Sequence, residues 1–386
     1  MQALSLLKYG VGIDMGKDEF HACLSVIDHA QKVKVKATTK FKNTQSGFKE
    51  FYKWVGNHCK ESLPIQFLME ATGVYFEQLA LFLHHKQCHV IVILPQKAKY
   101  YIKSLGIKTK TDNVDSQALA TMVCQQSLTA WTPISESMYQ LRQITRQQIE
   151  LNELKTKLNN QLHALEVGMY HSNQVQKQLK KLMEEVEKQI TACEKLIKAR
   201  IEANPEWKRK CEQICAIKGV GLLTVANIIT ETNEFTLFEN QRQLVSYSGY
   251  DVVENQSGNR VGKTRISKRG NHRIRRILHM AALQVVRYEQ KPFLGLYERV
   301  FERTKIKMKG YVAVQRKLLT IIYTLWQNDT KYDINFVENQ LKNITIGGKK
   351  VAPIIEATLH QPQMVVLQEY KNMDLYLNEE ILENLY

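Results

Sequence analysis

Long apolar runs are missing from this 386-residue sequence. Stretches such as Val90 to Leu94 and Leu318 to Ile322 fall far short of the roughly 20 residues a membrane-crossing helix needs, so no span is expected. The apolar patch at Leu4, Leu6 and Leu7 has no basic segment before it and no small-residue cleavage site after it, which reads against secretion. Cysteine is equally uninformative as a framework. The seven residues Cys23, Cys59, Cys88, Cys124, Cys193, Cys211 and Cys215 include no C-x-x-C pair, and none stands at zinc-ligand spacing with histidine. Reduced thiols in a cytoplasmic, nucleoid-associated protein are the expectation. Internal repeats and low-complexity tracts are absent too.

What the chain has instead is positive charge. Lys and Arg number 54 against 38 Asp and Glu, a net +16 with a pI near 9.3. That balance suits a polyanion better than a small neutral substrate, with nucleic acid ahead of an anionic membrane surface. The length accommodates two domains and a connector.

Four segments are expected. Residues 1–135 alternate strand-like and helical patterns: apolar runs at Tyr9 to Asp14, Ile65 to Met69 and His89 to Leu94, strand-like alternation at Phe20 to Val26 and Lys32 to Ala37, and helical spacing at Ser46 to Cys59 and Val74 to Lys86. This is a mixed-sheet α/β domain. Residues 136–205 carry apolar seams at steps of three and four, Leu151 to Leu165 and then Val175 to Ile197, interrupted at Gly168 to Asn173. They describe a helical hairpin or coiled-coil connector suited to self-association. Residues 206–335 form a second, mainly α-helical domain after the Asn204-Pro205 break, and 336–386 form an acidic C-terminal tail.

The chemistry-bearing residues of the first domain are acids. Asp14 ends the first apolar strand, in Gly12-Ile13-Asp14-Met15-Gly16-Lys17, and Glu70 ends a later one, in Leu68-Met69-Glu70-Ala71-Thr72-Gly73. Asp112 and Asp115, three apart at a helix start, share one helical face. Each helix acid taken singly is an ordinary N-terminal aspartate, worth roughly 0.3–1 kcal/mol against the helix dipole. The four together form a candidate site for Mg2+, a hard cation that takes oxygen ligands and keeps several waters. Two such ions about 3.5–4 Å apart stabilise the attacking and leaving oxygens of a phosphodiester displacement.

In the second domain, Gly219 and Gly221 make a G-x-G turn before a helix, a phosphate-binding geometry that is equally an ordinary helix start. From Asn255 to Tyr288 no acid occurs, while Arg260, Lys263, Arg265, Lys268, Arg269, Arg273, Arg275 and Arg276 accumulate. Such a run reads as an anion-binding face. Ser257, in the Gly-flanked segment Gln256-Ser257-Gly258, reads by itself as a turn serine.

Gly12-Ile13-Asp14 with Lys17, Glu70-Ala71-Thr72-Gly73 with Tyr75, and Lys110-Thr111-Asp112 with Asp115 resemble, in order and spacing, the signature blocks of the RuvC-like, DEDD-type insertion-sequence transposases that include the Piv DNA invertases. Gly219 with Gly221, Leu244 to Gly249, Gln256-Ser257-Gly258 and Ile266 to Asn271 followed by Arg275 resemble that family's C-terminal domain. Lys218 and Tyr250-Asp251-Val252 depart from its usual proline-containing segments. The resemblance covers about residues 9 to 330. It implies a ribonuclease-H-like fold, a four-acid site at Asp14, Glu70, Asp112 and Asp115, and a nucleophilic role for Ser257. It further implies target and donor DNA as substrates and a structured noncoding guide RNA, while the helical seam points to a homo-oligomer and the placement of the acids and Ser257 on different domains to a composite site. Three rivals remain open at this point. One is an actin-like ATPase or sugar kinase, suggested by Gly12 to Gly16. The second is a RuvC-like junction endonuclease using water, and the third a non-catalytic nucleic-acid-binding protein.

Overall fold

The computed structural model describes residues 6–109, 111–170, 172–258, 260–262 and 264–335, together with the backbone of 345–346 and 349–350. The chain divides into two compact units, 1–134 and 135–386. Lys263 and the expected acidic tail lie outside the described residues, apart from a short ladder pairing Thr345–Ile346 with Lys349–Lys350.

The first unit is a five-stranded sheet covered by helices. Its strands are β1 (Leu6–Met15), β2 (Glu19–Asp28), β3 (Val33–Lys42), β4 (Ile65–Glu70) and β5 (His89–Ile93), in the order β3-β2-β1-β4-β5. β1 to β3 run antiparallel as a meander, whereas β4 and β5 lie parallel to β1. Three antiparallel strands extended by two parallel ones make the ribonuclease-H-like, RuvC-like topology. The helices are α1 (Gln45–His58), α2 (Glu77–His85), α3 (Pro95–Ser104) and α4 (Asp112–Gln125). α1 starts where the Thr44 side chain accepts from Gly47 N–H at 3.3 Å, and it buries Phe48, Phe51 and Val55 against Phe20 and Phe67. Helical spacing overreached at Val74: residues 71–76 form a loop through Gly73 at φ +56°, and α2 begins only at Glu77.

The opposite face of the sheet receives α4. It can sit there because β1 is bare at Gly10 and Gly12. A methyl group on Gly12 would come within 2.2 Å of the α4 backbone at Ala120 N and Ser116 O, and one on Gly10 would come within 2.9 Å of Cys124, Val123 and Ala120. Leu119, Met122 and Val123 of α4 then pack on Leu68, Ile91 and Ile93.

The second unit opens with α5 (Glu136–Val167) and α6 (Asn173–Glu202), capped by Ser135 and Ser172 and packed on each other as a hairpin. Leu158, Leu162, Val186, Cys193, Ile197 and Ile201 are buried, while Leu154, Val175, Leu182 and Leu196 of the same helices stay exposed. α7 (Pro205–Cys215), α8 (Leu222–Thr232), α9 (Gln241–Tyr247), α10 (His272–Arg287), α11 (Lys291–Thr304) and α12 (Lys307–Asn328) complete the unit. Between α9 and α10 the chain makes two nested ladders. The outer pairs β6 (Val252–Val253) with β9 (Arg265–Ile266), and the inner pairs β7 (Gln256–Ser257) with β8 (Arg260–Val261).

All seven cysteines are free thiols. Burial pushes Cys124 up to about 11 and Cys215 likewise to about 11, so both stay protonated and unreactive at neutral pH. Among the described residues no helix is long and apolar enough to cross a membrane.

Candidate active site

The acids of the first unit collect at one end of its sheet. β1 and β4 pair in parallel with Ile13 opposite Met69, so Asp14 and Glu70, one residue further on, stand side by side on neighbouring strands. Adjacent strands lie about 4.8 Å apart. Side chains alternate along a strand, so Asp14 points to the same face as Gly10 and Gly12, and Glu70 to the same face as Leu68. That is the face on which α4 lies, with Asp112 and Asp115 in its first turn. The cap of α4 is Thr111, whose side chain accepts from Val114 N–H at 3.3 Å, so neither aspartate side chain is needed for capping.

Several residues that sequence patterning did not single out hold this arrangement. His21 pairs directly across from Asp14 in the β1–β2 ladder, and its Nδ1 lies 3.6 Å from Asp112 Oδ2. The Asn43 side-chain amide donates to Gly16 O at 3.0 Å and to Tyr75 O at 3.1 Å. It thereby ties the turn after Asp14 to the loop after Glu70. Thr72 Oγ1 donates to Glu70 Oε1 at 3.0 Å and fixes that carboxylate. A histidine two strand-registers from a glycine pair was the available signal for His21. Asn43 carried none, since its role exists only once the two loops meet.

The donor set fits a hard divalent cation in kind: the four acids at this end of the sheet offer only oxygen ligands. The side chains are not drawn together into a finished cage. Among the described residues no group of three or more His, Cys, Asp or Glu side chains lies at ligating separation.

In the second unit, Ser257 is exposed on β7, opposite Arg260, beside Gly258 at φ +54°. The arm carrying it is anchored at its base. Ser267 Oγ donates to Asp251 Oδ1 at 2.5 Å, Arg275 donates to Ser248 O at 2.9 Å, and Asn271 N–H donates to Tyr247 O at 2.7 Å. Asn271 also caps α10 by accepting from Arg273 and Ile274 N–H, and its Nδ2 donates to Glu231 Oε2 at 2.7 Å. Glu231 is nearly inaccessible and receives two bonds from the Arg146 guanidinium, at 2.7 and 3.0 Å. Burial pushes its carboxyl up, but Arg146, Asn271 and Arg273 together outweigh that and hold it below the usual carboxylate range.

The basic run therefore divides. Arg273 and Arg276 pair with Glu150 and Glu153 of α5, and Arg275 is held by a backbone carbonyl. Arg260, Arg265, Lys268 and Arg269 remain exposed on the arm and its base. Gly219, at φ +102°, is a packing residue, since a side chain there would meet α10 at Gln284 and Val285 within 3.1 Å. Gly221 faces open space at the start of α8, which has no side-chain cap.

Comparison with known proteins gives these features a family. Residues 11–170 match a family model described as transposase, of the DEDD IS110 type, and residues 211–298 match that of the IS116/IS110/IS902 transposase family. A pilin gene-inverting protein of Moraxella bovis is 28% identical over 327 residues, 84% of this chain and 97% of that protein. The transposase for insertion sequence element IS1111A of Coxiella burnetii is 25% identical over 276 residues, 62% of this chain and 72% of that one. Among solved structures, T. thermophilus RuvC in complex with a Holliday junction substrate is 13% identical, covering 29% of this chain and 90% of that chain at a TM-score of 0.24. It is the strand order described above, not that low score, that defines the fold. The chain belongs to the IS110 family of transposases and recombinases, DNA-recombining enzymes with a RuvC-like N-terminal domain.

Proposed function

We propose that this protein cuts and rejoins DNA strands through a phosphoserine intermediate on Ser257, with Asp14, Glu70, Asp112 and Asp115 holding Mg2+. The reading rests above all on one observation: Asp14 and Glu70 stand in register on adjacent strands, facing the helix turn that carries Asp112 and Asp115. Mg2+ bound by these acids would stabilise charge on the attacking and leaving oxygens of an in-line displacement.

The remaining steps belong to the chain's own groups. Ser257 Oγ loses its proton to a general base and attacks a backbone phosphorus. The P–O3′ bond breaks, the 3′ oxygen leaves and takes up a proton, and the serine is left esterified to the 5′ phosphate. A 3′ hydroxyl from the second strand then attacks that phosphoserine and releases the serine. One phosphodiester replaces another, and no energy source is consumed. Arg260, opposite Ser257, and the exposed Arg265, Lys268 and Arg269 would bind the flanking phosphates. Guidance by a structured RNA that pairs with target and donor DNA, and assembly through the exposed apolar residues of the α5–α6 hairpin, belong to the same reading.

The test is a recombination assay with purified protein, its copurifying RNA and DNA complementary to that RNA. Asp14→Asn and Ser257→Ala are both expected to reduce recombination to background with thermal unfolding unchanged. Cleavage retained by Ser257→Ala would transfer the reaction to a water nucleophile. Recombination retained by Asp14→Asn would make the acids structural, and absence of a specific RNA would remove the guidance.

A further inference from the structure

The proposed reaction leaves one charged surface of the first unit unused. From Gln78 to Thr111 the sequence contains no acid, while Lys86, Lys97, Lys99, Lys103, Lys108 and Lys110 occur in it. This stretch runs through β5 and α3 and ends at Asp112. Within α3, Lys97, Tyr100 and Lys103 are spaced three apart and form one stripe along the helix, with Lys99 beside it. Tyr100 is 54% exposed, and its hydroxyl accepts from Gln96 Nε2 at 3.2 Å. Leu94 and Ile107, at either end of the helix, are also exposed.

An exposed lysine-rich helix is usually no more than a solvated face. Such faces usually carry acids that pair with the lysines at i+3 or i+4. Here, among the described residues, no carboxylate pairs with Lys97, Lys99 or Lys103. An aromatic ring set between lysines at one-turn spacing is the arrangement that holds an unpaired strand, the ring stacking on a base while the ammonium groups follow the phosphates. Position adds a second argument. α3 begins two residues after Ile93, the register partner of Glu70, and packs on α4, whose first turn carries Asp112 and Asp115.

We infer that the α3 stripe Lys97–Tyr100–Lys103, with Lys99, binds single-stranded DNA, namely the unpaired strand next to the phosphate being cut. This rests on the proposed reaction for the identity of the strand as DNA. The stripe is distinct from the four acids and from the basic arm of the second unit.

Binding of the full-length protein to fluorescein-labelled oligodeoxythymidylate, followed by anisotropy in EDTA, tests the inference without any strand being cut. Tyr100→Ala is expected to weaken binding by about fivefold or more, the lower end of what one base–aromatic stack contributes, and Tyr100→Phe to restore it. Replacing Lys97, Lys99 and Lys103 with Gln is expected to flatten the log–log salt dependence by about 0.7 for each phosphate no longer neutralised. All four residues are exposed, so thermal unfolding should not change. The inference is overturned if Tyr100→Ala binds as the parent does. It is also overturned if affinity for a duplex falls by the same factor, or if only oligouridylate binding is affected. Because nothing is cleaved, failure here leaves the Asp14→Asn and Ser257→Ala results untouched, and failure there leaves this binding result untouched.

Discussion

No arginine occurs in residues 1–134, where lysine supplies all the basic charge apart from histidine, whereas the second unit carries arginines from Arg142 onward. The two kinds of cation do different work. In the second unit many guanidinium groups are internal ties: Arg142 to Thr230 O, Arg146 to Glu231, Arg275 to Ser248 O, and Arg273 and Arg276 to α5. A planar fork with several fixed donors suits that role. In the first unit most lysines lie at the surface, and an ammonium on a flexible stem is a hydrated point charge rather than a fixed fork. Total positive charge is thus a poor guide to how much of it faces a nucleic acid.

The comparison is broken most severely by removing the hub of the arginine ties. Glu231→Ala leaves Arg146 and Asn271 without their shared acceptor. Breaking a buried pair costs about 3–5 kcal/mol, and the lower end is expected because Arg146 is half exposed and can turn to water. Chemical denaturation of the full chain measures this. The same carboxylate sets a pH dependence. Its folded pKa lies below its ordinary value, so its contribution is complete above the ordinary carboxylate range and is lost as pH falls through the lowered folded value. The parent should therefore lose stability in acid more steeply than Glu231→Ala.

A smaller effect is expected in the first unit, which depends on close backbone approach rather than on charge. Gly12→Ala forces a methyl group into the α4 backbone and should destabilise that unit by about 1–3 kcal/mol. Gly221→Ala meets no atom in the second unit and should cost only about 0.5 kcal/mol, through the poorer N-cap that Ala makes for α8. Smallest is the contrast within the basic run. Arg269→Gln should flatten the log–log salt dependence of duplex binding by about 0.9, as expected when one phosphate is no longer neutralised. Arg276→Gln, whose partner is Glu153, should leave the slope as it was.

These contrasts also mark where sequence reading succeeds. The placement of Asp14 and Glu70 at strand ends was legible from the apolar runs they close, and that of Asp112 with Asp115 on one helix turn from their spacing. The sheet order makes neighbours of strands that the sequence separates, and that is what sets Glu70 beside Asp14. Asn43 and His21 escaped notice because their partners lie on other strands and loops. The stretch from Asn255 to Tyr288 looked uncompensated only along the chain. In space, Glu150, Glu153 and Glu231 arrive from α5 and α8. The helical seams identified the hairpin, yet Leu154 and Leu182 are exposed, since periodicity alone does not say where two helices cease to touch.

The two bare glycines of β1 have an electrostatic consequence as well. By letting α4 lie directly on the strand, they bring the start of that helix to the end of the sheet where Asp14 and Glu70 stand. A helix start carries about half a positive elementary charge. The backbone itself thus supplies a fixed positive pole at the end of the sheet where these acids stand.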